Sequence, residues 1–187
     1  MDARGPLVAL GVAAATVMSA APAAADDRVC RGALGAISVD DNLRVPAGAV
    51  CRLTQTRIGG NILVDEEAAL VARGVRVDGN VQSEGARRVV VRDRSFVDGD
   101  VQVEDGGAVL VLRSRVEGNI QLEDNRRRIV LQRNFVYGDI QLFSNPAPAR
   151  IRGNRVDGNL QCKSNVPEPS GGGNRVEGNK EDQCRDL

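Results

Sequence analysis

The 187-residue sequence has no histidine and no tryptophan; its aromatic residues are one tyrosine, Tyr137, and three phenylalanines. Without histidine a Ser-His-Asp triad is excluded, and so are most zinc sites. Lysine occurs only at Lys163 and Lys180. Charge of one sign is also lacking, since 25 Lys plus Arg balance 25 Asp plus Glu. A general nucleic-acid or anionic-membrane binder needs a basic excess, so neither partner is expected. The residue pattern calls for no metal and no cofactor.

Long apolar runs are absent after the first segment. There, Arg4 precedes Leu7 to Met18, LVALGVAAATVM, and Ala23-Ala24-Ala25 leads into Asp26. This is the pattern of a signal peptide over residues 1–25, cleaved before Asp26. The run is too short for a permanent membrane helix. Residues 26–187 then form one exported domain, secreted or periplasmic, with no membrane span. Export makes the cysteines readable as disulfides. Cys30, Cys51, Cys162 and Cys184 allow three pairings. Separations of 21 for Cys30 and Cys51, and 22 for Cys162 and Cys184, favour one bridge at each end.

What the sequence has in abundance is repetition. Glycine followed by Asn or Asp recurs at Gly60, Gly79, Gly99, Gly118, Gly138, Gly158 and Gly178, in steps of 19 or 20. Asp41 lies 19 residues before Gly60 and fits the same frame, giving eight units. Two residues before each marker stands Val or Ile, from Val39 to Val176. Two residues after it stand Leu43, Ile62, Val81, Val101, Ile120, Ile140 and Leu160. This alternation is that of a strand with one buried face, and β-branched residues suit it. A further apolar patch follows in most units, as at Val89-Val90-Val91. The period predicts an all-β, single-stranded parallel β-helix of about eight coils of 19–20 residues, each coil holding three short strands. The period is looser than a strict hexapeptide repeat, which favours a right-handed coil.

The residue after each marker is always Asn or Asp, never Gln or Glu. A corner explains this choice better than a ligand column does. Gly and Asn/Asp enter left-handed backbone regions cheaply. The structural corners are therefore Gly79-Asn80, Gly99-Asp100, Gly118-Asn119, Gly138-Asp139 and Gly158-Asn159. A Ca²⁺ column of Asp100 and Asp139 is disfavoured, because most of the column is neutral.

Function must then lie on outward columns. One runs Arg57, Arg76, Phe96, Arg115, Phe135, Arg155 and Arg175, beside Asp78, Asp98, Glu117, Tyr137, Asp157 and Glu177. Much of it reads as a charge-paired solvated face. Phe96, Arg115, Phe135 and Tyr137 form a more specific candidate, an arginine among aromatic rings in consecutive coils. A second ladder, including Gln102, Gln121 and Gln141, reads either as stacked amides or as a flat polymer-binding surface. The segments 144–150 and 165–174, rich in Pro and Gly, read as surface loops. Lys180 and Asp182 break the buried columns, so the last coil reads as a cap.

The repeated VxGN(I/V/L)Q unit over residues 37–179, with the closing NLQCKSN…NRVEGNKEDQC, resembles exported right-handed β-helix proteins of bacteria that carry no assigned activity. It is also similar to the bactofilin-like filament formers, but the signal segment and terminal cysteines depart from that pattern. The resemblance implies a fold, not a reaction. The expected function is a secreted, non-enzymatic, monomeric β-solenoid, structural or binding a cell-envelope glycan or protein. The alternative is a small polysaccharide-active enzyme of the pectate-lyase-like kind, using clustered Asp and Arg. The chain is short for the groove walls such an enzyme needs.

Overall fold

The computed structural model describes residues 27–187. The signal segment expected over residues 1–25, with its cleavage point, lies outside the described residues. All regular elements described are strands, and all pair in parallel. The chain coils through three sheets in turn. The first sheet has nine strands, from Arg28–Val29 to Lys180–Asp182. The second has eight, from Gly32–Leu34 to Ser170–Gly172. The third also has eight, from Ser38–Val39 to Arg175–Val176. Each strand pairs with its counterpart one coil on, so the molecule is a β-solenoid of about eight turns. At the usual strand spacing it is roughly 35–40 Å long.

The core is one continuous stack of aliphatic residues down the axis. The third sheet contributes Ile58, Val77, Val97, Val116, Val136 and Val156, all fully buried. The first contributes Leu43, Ile62, Val81, Val101, Ile120, Ile140 and Leu160. The second contributes Leu53, Ala72, Val91, Val111, Leu131 and Ile151. Each large aliphatic side chain so placed is worth about 1.5–3 kcal/mol. Ser83 sits in register with Val64 and Val103 inside this stack, and its hydroxyl has no partner.

Each coil turns three corners, built in two different ways. Between the first and second sheets a residue with positive φ makes the bend: Gly48, Glu67, Gly85, Asp105, Asp124, Ser144 and Ser164. Between the second and third sheets Gln55, Gly74, Arg94, Arg113, Arg133, Gly153 and Gly173 do the same. The Gly-Asn corner between the third and first sheets uses no positive φ at all, so the left-handed backbone expected there is not how it turns. Its glycines are required by close approach. A Cβ on Gly79 would lie 2.6 Å from Asn61 Oδ1, and one on Gly178 would lie 2.6 Å from Asn159 Oδ1.

That oxygen is where it is because it accepts the next coil's main-chain N–H. Asn61 N–H donates to Asn42 Oδ1 at 2.8 Å, Asn80 N–H to Asn61 Oδ1 at 2.8 Å, and Asp100 N–H to Asn80 Oδ1 at 2.7 Å. The ladder continues through Asn119, Asp139, Asn159 and Asn179. Only the carbonyl-type oxygen is needed as acceptor, which explains why Asp substitutes for Asn. A Gln or Glu is one methylene too long. The two acids are never in adjacent coils: Asn119 separates Asp100 from Asp139 and donates its own amide to Asp100.

Two further amide ladders run inside the other corners. Asn125, Asn145 and Asn165 are wholly or almost wholly buried, and each donates to a core strand carbonyl. Asn145 and Asn165 also accept from the coil before, whereas Asn125, at the head of the ladder, has its Oδ1 unpartnered. Asn134, Asn154 and Asn174 repeat the arrangement at the next corner. Buried amides are tolerated because their hydrogen bonds are nearly all made. At the last coil Gln183 reaches back with Oε1 to accept from Asn165 N–H at 2.9 Å.

The segments read as loops at 144–150 and 165–174 are parts of ordinary coils. Ala149–Arg152 and Ser170–Gly172 are strands of the second sheet, and Asn145 and Asn165 are ladder residues. Pairing with the preceding coil overrides their Pro and Gly content; the exposed remainder centres on Val166. Disulfides join Cys30 to Cys51 and Cys162 to Cys184, with Cα separations of 5.6 and 5.2 Å. Each links one terminal coil to its neighbour. Such bridges suit an oxidising environment. In the last coil Lys180 and Asp182 stand opposite Leu160 and Cys162, where the core ends. Among the described residues no helix is long and apolar enough to cross a membrane.

Candidate ligand-binding face

The outer face of the third sheet carries Phe96, Phe135 and Tyr137, three of the four aromatic side chains; Phe143 is on the first sheet. Strand register puts Arg76, Phe96, Arg115, Phe135 and Arg155 directly one above another. The Arg76 guanidinium lies 4.3 Å from the Phe96 ring centroid, and that of Arg155 lies 5.3 Å from Phe135. Arg115 sits between the rings, 6.0 Å from Phe96, 5.5 Å from Phe135 and 4.6 Å from Tyr137. Its Nη2 donates to Tyr137 Oη at 2.6 Å and its Nε to Glu117 at 2.8 Å. Phe135 and Tyr137 meet edge to face, 4.5 Å between centroids. Glu117, through its hydrogen bond, pushes the Arg115 guanidinium further above its already high pKa. The cation is held in place by these two bonds.

The acidic column beside it pairs with these arginines both within and between coils. Arg76 with Asp78, and Arg155 with Asp157, pair within a coil. Arg57 reaches up to Asp78, and Arg155 also to Glu177. These pairs are exposed and individually worth little.

Sequence reasoning missed the residues that complete this face. A depression of about 460 Å³ lies between the stack and the adjoining corner, lined by Arg94, Arg113, Arg115, Arg133 and Arg155 with Phe96 and Phe135. No carboxylate lines it. Arg94, Arg113 and Arg133 are corner residues with φ of 64°, 49° and 54°. Left-handed backbone in a non-glycine residue costs of order 1–3 kcal/mol. Neighbouring coils place Gly74, Gly153 and Gly173 at this corner instead. Arg113 hydrogen-bonds Asp93, and chiefly for that reason the Asp93 carboxyl is held below its ordinary pKa, with Arg92 and Arg73 assisting against partial desolvation. Among the described residues no carboxylate lies within 4.0 Å of the Arg94 or Arg133 guanidinium. The missed signal is arginine standing where neighbouring coils have glycine.

The glutamine ladder lies on a different face, the outside of the first sheet. Gln121 donates to Gln141 at 3.2 Å, Gln141 to Gln161 at 2.9 Å, and Gln161 to Glu181 at 2.9 Å. Gln102 donates to Glu104 instead. The amides are largely committed to one another, so this candidate is not brought together with the aromatic stack. At its N-terminal end a wider hollow of about 950 Å³ is bordered by Glu66, Glu67, Glu84 and Glu104, with Asp65 and Asp105 paired to Arg44 and Arg126. Asp65 is also what raises the Arg44 pKa. Among the described residues no three acidic or thiol side chains converge to hold a metal ion.

Comparison with family models, with curated proteins and with solved structures finds no match to this chain.

Proposed function

We propose that the protein is an exported, non-enzymatic binding rod whose arginine–aromatic face holds a glycan of the cell envelope. The observation that carries this reading is the five-residue stack from Arg76 to Arg155, where rings and guanidiniums alternate in register. Ring and guanidinium order one another there before any ligand arrives. A site already ordered loses less side-chain entropy on binding. The two disulfides support an exported protein, since such bridges persist outside the reducing cytosol.

The test is equilibrium binding of the disulfide-intact protein to purified envelope polysaccharides. Saturable binding is expected, and Phe96→Ala with Phe135→Ala should abolish it while the circular dichroism spectrum stays unchanged. Polymer cleavage that disappears in Asp98→Asn or Arg115→Gln would replace this reading with that of a polysaccharide-active enzyme.

A further inference from the structure

We infer that the ligand of this face is a linear acidic glycan with a carboxylate on every sugar, read at one sugar per coil by Arg94, Arg113 and Arg133. The inference rests on the glycan-binding reading above and gives it a chemical class.

Three observations meet at this place. The depression presents five arginines and no acid of its own. Arg94 and Arg133 have no carboxylate partner, although the chain has equal numbers of acidic and basic residues. On the third sheet Arg57, Arg76, Arg115 and Arg155 are paired with carboxylates. Finally, arginine occupies left-handed backbone in the central coils, where Gly74 and Gly153 serve the flanking ones. Asp or Ser at such a position bonds back to its own backbone, which eases the conformation. Arginine has no such compensation. A strained residue held in place at a surface site points to a use for its side chain.

The periodicity selects the ligand. Arg94 N–H donates to the Arg113 carbonyl at 2.8 Å, so these corners stack coil upon coil. Stacked coils repeat at about 4.8 Å. One pyranose residue in an extended chain advances by a comparable distance, so a linear acidic glycan laid along these corners keeps step with the coils. The planar fork of arginine matches a carboxylate through two parallel hydrogen bonds. A single-stranded nucleic acid is disfavoured. It needs open aromatic platforms for its bases, and here Arg76 covers Phe96 and Arg155 covers Phe135. The zero net charge also removes the general attraction that nucleic-acid binders rely on.

The experiment uses oligomers of polyglucuronate, their neutral methyl esters, a polymer with a carboxylate on alternate sugars only, and oligodeoxythymidylate of matched charge. Titration calorimetry at low and moderate salt reads the affinities for wild type and for Arg94→Gly/Arg133→Gly. The fully acidic oligomer should bind at least tenfold more tightly than its ester or the half-charged polymer. The double variant should lose at least tenfold in affinity while its thermal midpoint stays equal or rises, because glycine relieves the left-handed strain. Wild-type affinity in that variant overturns the inference. So does tighter binding of oligodeoxythymidylate. Equal binding of acid and ester, lost in Phe96→Ala/Phe135→Ala, overturns the acidic ligand and leaves the glycan reading standing. No binding of any of these or of envelope polysaccharides removes both.

Discussion

The main-chain N–H of Asn119 donates to the side-chain Oδ1 of Asp100, one coil earlier, at 2.6 Å. The oxygen that makes this bond occupies the space where a side chain on Gly118 would begin. One hydrogen bond therefore dictates two residue types, Asn or Asp for its reach and Gly for its room.

Gly118→Ala should overlap Asp100 and displace that bond together. Overpacking and a lost buried hydrogen bond give a destabilisation of about 2–4 kcal/mol. Urea unfolding followed by circular dichroism measures it, and a loss below about 0.5 kcal/mol would contradict the close-approach account, on the range for neutral substitutions.

Asn61 has neutral neighbours, Asn42 and Asn80, in the ladder. Asn61→Asp keeps the acceptor oxygen but gives up the amide donation to Asn42 Oδ1, and should cost no more than about 0.5 kcal/mol at pH 7. Asn61→Gln moves the oxygen away and should cost about 1 kcal/mol. The same unfolding experiment compares the pair, and the reverse order would mean the ladder is not the constraint.

Asn145 accepts from Asn125 and donates to the Leu122 carbonyl inside the rod. Asn145→Ala leaves these groups buried without partners and should cost about 3 kcal/mol. Hydrogen exchange should show the loss spread over the coils of Asn125 and Asn165.

Cys162→Ser/Cys184→Ser removes the bridge that ties the last coil to its neighbour. The expected loss is about 2–4 kcal/mol. It should appear in exchange experiments as faster amide exchange from about residue 170 onward, with the central coils unchanged.

Arg113 lowers the Asp93 pKa. A carboxyl lowered on folding stabilises the fold above its ordinary pKa of about 3.9 and loses that contribution as pH falls through the folded value. Asp93→Asn should thus lower the thermal midpoint slightly at pH 7, and the difference should shrink as pH falls below the ordinary carboxylate pKa of about 3.9. The pair is exposed, so the difference is small.

The fold was legible because burial is periodic. Val77, Val97 and Val116 fall at one phase of the repeat and lie on one inner face. The mechanism of the corners was not legible in the same way. Composition pointed to Gly and Asn as left-handed residues, whereas the chain takes that conformation at Gln55, Arg113 and Asp124. Those corners are filled by Gly, Gln, Arg, Asp, Glu and Ser in different coils, so no single residue type marks them in the sequence. The buried ladders were half visible. Asn125, Asn145 and Asn165 keep a constant distance from Gly118, Gly138 and Gly158, but Ala86 and Gly106 hold the same place in earlier coils and blur the column. On the candidate face, Phe96, Arg115 and Phe135 stood out as a strand column. Arg94 and Arg133 did not, since they belong to a corner and no strand pattern includes them.

Every lateral bond in this molecule joins a coil only to the one before or after it. The rod is in that sense a crystal in one dimension, with a cell of about twenty residues. Its length is a free variable while its cross-section is fixed. Inserting or deleting a whole cell leaves every remaining contact with an equivalent neighbour, whereas a single-residue change inside a strand turns inner faces outward. Lineages of this chain are therefore free to lengthen or shorten by whole coils. Any polymer gripped along the side would be measured in the same units.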